Sequence, residues 1–211
     1  MPSGRTHDRI TLWSLPLVTG FSFLQTRNGN LTLLVAAGFL FGGLMFGPDL
    51  DTYSRQYQRW GWFRWIWLPY RRYLRHRSLL SHGPVIGTTL RMIYLASWLA
   101  IIVAIGLAWW CIGQQITGSI EDWQLATPIY LQQIAQQIWR SSQDHPLSWL
   151  ALWIGLELGA LSHVVSDWSH STYRRWQTTG FVGLFGLPTK AQRRKKSTGW
   201  FKVSTHKTKR L

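Results

Sequence analysis

Long apolar stretches alternate with strongly basic ones along this chain of 211 residues. The four stretches that are long and apolar enough to be membrane spans are residues 10–25, 31–47, 92–113 and 146–166. The second and third carry no charge and reach the roughly 17–25 residues that cross the hydrocarbon core of a bilayer. Pro16 and Gly20 interrupt the first stretch, and the fourth contains Glu157 and His163.

These spans predict an all-α fold, a polytopic membrane helix bundle with about four transmembrane helices. A buried helix of a soluble protein is the alternative, but such helices usually have about 8–20 residues. Positions 92–120 contain no charged residue at all. The first span follows a short basic segment, as the apolar region of a secretory signal does. Phe21, Phe23 and Leu24 stand where a cleavage site needs small residues, so we expect an uncleaved helix.

The basic residues lie almost entirely on one predicted side of the membrane. Of the 23 Lys and Arg residues, two precede the first span, eight lie at positions 55–91 and eleven at 174–210. Only Arg27 and Arg140 fall in the two opposite loops. Four spans place both termini and the central loop on one side, which the positive-inside rule makes cytoplasmic. We therefore expect a multi-pass protein with both termini in the cytoplasm.

The formal net charge of +15 indicates an anionic partner, either a membrane surface or nucleic acid. Positions 55–77 interleave Arg with Trp and Tyr. Aromatic rings favour the headgroup zone, and basic residues there attract anionic lipid by about 1 kcal/mol each. The same mixture suits single-stranded nucleic acid, but beside two membrane spans the lipid interface is the favoured interpretation. Membrane lipids with anionic headgroups are the expected partners.

Two further segments complete the expected organisation. Residues 114–145 contain apolar side chains at helical spacing, which predicts an interfacial amphipathic helix, with a partner-binding helix as the alternative. Residues 189–211 are rich in Lys and Arg and predict a flexible basic tail. The chain is thus expected to consist of a membrane-embedded helical domain, residues 1–188, and this tail.

The residues that carry chemistry are few. The single cysteine, Cys111, excludes a disulfide framework and a cysteine-based zinc finger. The chain has 8 acidic residues and 7 histidines, and several of them stand in four short motifs at the ends of predicted spans. These residues are His7, Asp8, Asp49, Asp51, His76, His82, His163 and Asp167. The predicted topology brings all four motifs to the cytoplasmic end of the bundle.

This arrangement predicts a metal site in the helical domain. His163 and Asp167 are four residues apart, so they share one face of a helix. Imidazole and carboxylate groups are ligands of Zn²⁺, Mn²⁺ and Fe²⁺, and placing them at the membrane rim costs free energy unless they are paired or bound. Taken alone, Asp49 and Asp51 could form a solvated turn after a helix that Pro48 ends. Together the eight residues favour a site for one or two divalent metal ions.

At these residues the chain resembles the inner-membrane metal-dependent hydrolases, a YdjM-like, LexA-regulated family, and it is similar to small metal-binding bacterial membrane proteins. The motifs that carry the resemblance are His7, Pro48-Asp49-Leu50-Asp51, His76-Arg77 with Ser81-His82, and Gly159 to His163 with Asp167. The resemblance covers roughly residues 5–170. It implies a location in the bacterial inner membrane and a hydrolytic activity that depends on a divalent metal.

Two functions follow as alternatives. In the first, a metal lowers the pKa of bound water to about 7, and the chain hydrolyses a phosphoester or lipid-linked phosphate that enters from the inner leaflet. Arg77 would hold the substrate phosphate, with a lipid-facing arginine as the alternative, and no catalytic residue is assigned. In the second, a non-catalytic metal ties the helices together, and the basic face binds lipid or a partner. A transporter is a third option, although Glu157 is the only acid in the middle of a span.

Overall fold

The computed structural model describes residues 4–74 and 78–179. The α-helices in these ranges are α1 (Gly4–Thr26), α2 (Gly29–Leu44), α3 (Arg55–Arg59), α4 (Leu68–Tyr73), α5 (Leu79–His82), α6 (Ile86–Ile116), α7 (Trp123–Asp144) and α8 (Pro146–Thr179). Two 3₁₀ turns, Pro48–Asp51 and Gly61–Trp67, lie in the segment between α2 and α6. No strand occurs in these two ranges, so the all-α prediction is confirmed. The predicted tail, 189–211, lies outside the described residues.

Within the described residues, three helical segments are long and apolar enough to cross a membrane. They are Gly29–Asp51, Ile86–Ile116 and Pro146–Arg174. The stretch at 10–25 does form a helix, as expected, but α1 is not among these three. Length and composition therefore support three spans, and the fourth remains a prediction.

Helix α6 presents apolar side chains to its surroundings along most of its length. In the most apolar part of this helix, only 6% of the residues are buried within the chain. Ile93, Ile105 and Trp109 are each more than half exposed. A surface of this kind is unfavourable in water and suits lipid or another apolar partner.

Helices α2 and α8 pack through a stripe of glycines. A Cβ added at Gly38 would lie 2.6 Å from the carbonyl oxygen of Leu152, and one at Gly42 would collide with the carbonyl of Leu156. Gly155 and Gly159 make equally close approaches from α8 to the backbone of α2. Residue numbers rise together along the contact, so the two helices run in parallel. Small residues four apart are typical of close packing between membrane helices, and here they bring the end of α2 beside the part of α8 that carries His163.

Helix α1 folds back onto α2 through a short turn. Arg27 adopts a positive φ of 49°, and the side chain of Asn28 caps α2 by accepting hydrogen bonds from two backbone N–H groups. A Cβ at Gly43 would lie 2.5 Å from Thr11, so the two helices are also in close contact near the start of α1. The antiparallel hairpin therefore returns His7 to the end of α2 at which Asp49 stands.

The segment between α2 and α6 has an aromatic core of its own. Leu50 and Trp67 are fully buried, and Phe46 and Tyr57 are nearly so. The carbonyl oxygen of Asp49 accepts hydrogen bonds from the side chains of Thr52 and Ser54, which fixes the first 3₁₀ turn. Other aromatic side chains of the segment point outward, including Trp62, Phe63 and Tyr73.

The chain divides by its contacts into two units, Ser3–Val164 and the residues from Val165 onward. Within the first unit, α7 contacts α6 and has no buried residue. The predicted helix in residues 114–145 is therefore present as α7, and its apolar side chains, among them Leu125, Ile129 and Ile138, are exposed.

Candidate metal centre

A carboxylate at the end of α2 lies between histidines of two other segments. The 3₁₀ turn Pro48–Asp51 presents Asp49 there. Oδ2 of Asp49 lies 3.0 Å from Nε2 of His163 on α8, and Oδ1 lies 3.8 Å from Nε2 of His82 at the end of α5. Asp49 is therefore the residue at which three of the sequence motifs meet.

The N-terminal motif adds a second imidazole next to His163. The rings of His7 and His163 have centroids 3.8 Å apart with an interplanar angle of 66°, and a ligand nitrogen of one lies within 4.8 Å of a ligand nitrogen of the other. The two residues are only 6% and 4% exposed. Two imidazoles that are this close and this deeply buried can both offer ring nitrogens to one metal ion.

Asp51 lies behind His82 and is linked to it through Ser81. The Ser81 hydroxyl donates a hydrogen bond to Oδ2 of Asp51, and its oxygen lies 2.8 Å from Nδ1 of His82. Because the hydroxyl proton is directed at Asp51, the oxygen can accept only from an Nδ1–H of His82. In the neutral ring, this assignment from the hydrogen-bond pattern would place the lone pair on Nε2. That nitrogen is the one that faces Asp49.

The structure places Asp8 with arginines and does not bring it to these histidines. Arg55 donates to Oδ2 of Asp8 at 2.8 Å, and Arg59 donates to both oxygens at 2.9 and 2.7 Å. Arg59 also donates to the carbonyl oxygen of Leu44 at 2.7 Å. Both oxygens of Asp8 are thus engaged in tying α1 to α3.

Asp167, His76 and Arg77 are the other residues of the predicted site. Asp167 follows His163 by one turn of the same helix and belongs to the second unit. Its spacing keeps it on the face of α8 that carries His163. His76 and Arg77 lie outside the described residues.

Two side chains near the site carry roles that the motifs alone did not reveal. Ser81 is fully buried and connects Asp51 to His82. Arg91, 2% exposed, donates to the carbonyl oxygen of Ser81 at 2.8 Å and to the hydroxyl of Thr88 at 2.9 Å. The signal available in the sequence was the position of Arg91, a single cation at the start of the most apolar stretch.

Tyr70, on α4, belongs to the buried aromatic core of the segment between α2 and α6. Burial raises the pKa of Tyr70, and the neighbouring Arg91 guanidinium opposes that shift in part. Tyr70 therefore stays neutral at physiological pH.

The side chains around Asp49 fit a divalent metal ion. Ligand atoms that each lie about 2.0–2.2 Å from one ion are separated from one another by roughly 3–4 Å. The separations of 3.0 and 3.8 Å between Asp49 and its two histidines fall in this range. A set of imidazole nitrogens and carboxylate oxygens matches Zn²⁺, Mn²⁺ or Fe²⁺ better than Ca²⁺, which prefers oxygen ligands only.

Comparison with known proteins agrees with this chemistry. A family described as "Uncharacterized metal-binding protein (DUF2227)" matches residues 2–177. An "Uncharacterized protein" of Aquifex aeolicus (strain VF5) is 37% identical over 59 residues, which are 28% of this chain and 41% of that relative. The similarity thus spans less than half the length of the relative. No solved structure matches the chain.

Proposed function

The chain belongs to the metal-binding protein family DUF2227, and from this premise we propose that it is a membrane-embedded, metal-dependent hydrolase that acts at the cytoplasmic face of the bacterial inner membrane. The observation that carries the proposal is the position of Asp49, whose two carboxylate oxygens face His163 and His82. Metal binding follows from the family, whereas hydrolysis and the relation to YdjM-like enzymes rest on the resemblance of the motifs.

The residues that would hold the metal come from four parts of the chain. They are His7, Asp49, His82 and His163, for one or two ions of Zn²⁺, Mn²⁺ or Fe²⁺, and the sequence spacing adds Asp167 as an expected ligand one helical turn after His163. When bound, such a metal supplies Lewis acidity and lowers the pKa of coordinated water. Asp49 would offer the ion or ions its two carboxylate oxygens, one on the side of His163 and one on the side of His82.

The surrounding residues hold these ligands in place and limit the access of water. Ser81 and Asp51 fix the orientation of His82 through its Nδ1–H, and such outer partners typically change metal affinity by about 10–100-fold. His7 and His163 are buried where α1, α2 and α8 meet, which favours a defined geometry over a loosely bound ion.

The proposed substrate is a phosphoester or lipid-linked phosphate. Its support is the location of the site at one end of apolar helices, next to a segment in which exposed Trp62 and Phe63 adjoin Arg64. Aromatic and basic side chains together favour the headgroup zone of anionic membranes. Arg77 is the proposed contact for the substrate phosphate.

The metal content of purified protein tests the shared premise of the proposal. Wild-type protein should retain a stoichiometric amount of a divalent metal in elemental analysis. Asp49→Ala and His163→Ala should lose most of it, because each removes a residue of the central pair. Asp8→Asn is the matched control, since Asp8 is engaged by arginines, and it should keep the wild-type content. Unchanged metal in both alanine variants would contradict the site.

A second candidate function is a structural metal that ties the helices together, with the basic face binding lipid or a partner. The near-complete burial of His7 and His163 favours it. Hydrolysis of a phosphodiester such as bis(p-nitrophenyl) phosphate, with added Zn²⁺ or Mn²⁺, separates the two functions. Turnover that disappears in Asp49→Ala and persists in Asp8→Asn supports the hydrolase. A protein that binds metal but hydrolyses neither this ester nor lipid phosphates would favour the structural role.

A further inference from the structure

The turn that leads from His82 into α6 has an unusual backbone. Val85 has φ 65° and ψ −57°, and the N–H of Ile86 donates to the carbonyl oxygen of Pro84 at 2.6 Å. These values describe a γ-turn with positive φ, which is rare and strained. For a β-branched residue such as valine, positive φ is especially unfavourable. Strain of this kind persists only where the surrounding structure holds it.

A carboxylate from another helix holds this turn. The backbone N–H of Val85 donates to Oε1 of Glu157 on α8 at 3.0 Å. Val85 is the residue that precedes the first turn of α6, and no side chain of its own segment caps that helix. Glu157 therefore satisfies a donor at a helix N-terminus, a place where a negative charge is also favoured.

The strained turn is coupled closely to His82. Only Gly83 and Pro84 separate Val85 from that histidine, and a Cβ added at Gly83 would collide with the carbonyl of Leu79. A Cβ at Gly87 would lie 2.9 Å from the carbonyl oxygen of Ser81. The segment between the histidine and α6 therefore has little room to shift on its own.

Glu157 and Arg91 lie around one small cavity that His82 and Ser81 also line. Its volume of about 10 Å³ is close to the minimum that can hold one water molecule, so the cavity is too small for a substrate. Arg91 holds the backbone of Ser81 from one side, and Glu157 holds Val85 from the other. Both side chains therefore act on the protein segment that carries His82.

We propose that Glu157 is a positioning residue that clamps the strained turn at Val85 and so keeps His82 at the metal centre. The inference rests on the proposed function, because it requires His82 to be a ligand. It gives this acid, which lies inside a candidate membrane span, a structural role toward the site, and buried ionisable residues of this kind are costly enough to indicate a function.

Zn²⁺ affinity of the purified full-length protein, measured by chelator competition, tests the clamp. Glu157→Met removes the acceptor and should weaken binding about 10–100-fold, the usual effect of losing an outer partner of a ligand. Glu157→Gln keeps an oxygen that can accept from Val85 and should stay within about threefold of the wild type. A glutamine variant that loses as much as the methionine variant would overturn the hydrogen bond as the cause.

A double-mutant cycle shows whether the effect passes through His82. In a His82→Ala background, Glu157→Met should cost no further affinity. Equal losses in both backgrounds would mean that Glu157 acts on the bundle as a whole, which overturns the inference and leaves the proposed function intact. If His82→Ala alone leaves the affinity unchanged, His82 is not a ligand, and this part of the proposed metal centre fails together with the inference.

The strain itself supplies a rescue experiment. Glycine adopts positive φ at little cost. Adding Val85→Gly to Glu157→Met should therefore raise the Zn²⁺ affinity at least about tenfold above that of Glu157→Met alone. Removal of the strain should also help the double variant to fold where Glu157→Met alone does not. A double variant that is folded, as judged by thermal melting, but binds no better than Glu157→Met would contradict the clamp.

Discussion

At the scale of single residues, two carboxylates of one short motif have different surroundings. Each oxygen of Asp49 faces a histidine, at 3.0 Å for His163 and 3.8 Å for His82. Asp51, two residues later, accepts a hydrogen bond from Ser81, and its side chain is fully buried. Asp49 is thus placed to touch a metal ion, whereas Asp51 supports His82, a proposed ligand.

Replacement of each carboxylate by its amide should separate these two roles. Asp49→Asn removes the negative charge that balances the ion, and we expect Zn²⁺ affinity to fall by at least about 100-fold. Asp51→Asn keeps an oxygen that can accept from Ser81, so the expected loss is about tenfold or less. Chelator competition on both variants measures the difference. A greater loss in Asp51→Asn would contradict the assignment.

The sequence predicted the residue types of the site better than their roles. The spacing of His163 and Asp167 and the position of Asp49 after a span were enough to select them. Nothing in the spacing distinguished Asp8 from a ligand, because its engagement depends on Arg55 and Arg59, about fifty positions away. Contacts of that range depend on how the segments fold, which a local motif does not contain.

At the scale of elements, the glycine stripe between α2 and α8 sets the geometry of the site. Gly42 and Gly159 let the two backbones approach more closely than any side chain would allow. Because the helices run in parallel, the contact places Asp49, just past α2, level with His163 on α8. A change in this contact should therefore alter the metal centre without touching a ligand.

Gly42→Ala is the substitution that tests this link. The added methyl group collides with the backbone of Leu156, and overpacking of this kind typically costs about 1–3 kcal/mol. We expect a lower melting temperature together with Zn²⁺ affinity reduced about tenfold or more, because the separation of α2 and α8 increases. Thermal melting and chelator competition on the same preparation measure both effects.

Gly106→Ala in α6 is the matched control for that experiment. Nothing lies within 4 Å of a Cβ at Gly106, and alanine is the better helix former by about 1 kcal/mol. The control should therefore keep its metal affinity and melt at the same temperature or slightly higher. A Gly42→Ala protein that binds metal as tightly as this control would show that the helix contact does not position the site.

Apolar runs predicted the long helices well, and local turns poorly. The stretch at 92–113 lies within α6, and the stretch at 31–47 begins inside α2, because helix length and hydrophobicity are properties of the run itself. The short helices between α2 and α6 had no such signal, since their aromatic residues split between a buried core and an exposed face. The positive φ at Val85 was also invisible, because valine gives no indication of a γ-turn.

At the scale of the whole molecule, charge and hydrophobicity point to the same arrangement. The basic residues concentrate at the termini and in the segment between α2 and α6. Helix α6, which follows that segment, has an apolar surface that the chain itself leaves exposed. The positive-inside rule relates the two features, and it assigns the metal centre and the basic segment to the cytoplasmic side of the proposed membrane topology.

Cysteine labelling in spheroplasts tests this topology, because Cys111 is the only native cysteine. In a Cys111→Ser background, Ser119→Cys lies in the exposed connection between α6 and α7, and an impermeant maleimide should label it from outside. Tyr73 is the last residue of α4, in the segment between α2 and α6, and is 82% exposed. Tyr73→Cys should be labelled only after permeabilisation. The two sites serve as each other's control for reactivity. The opposite pattern would invert the orientation, and external labelling of both would argue that α6 does not cross the membrane.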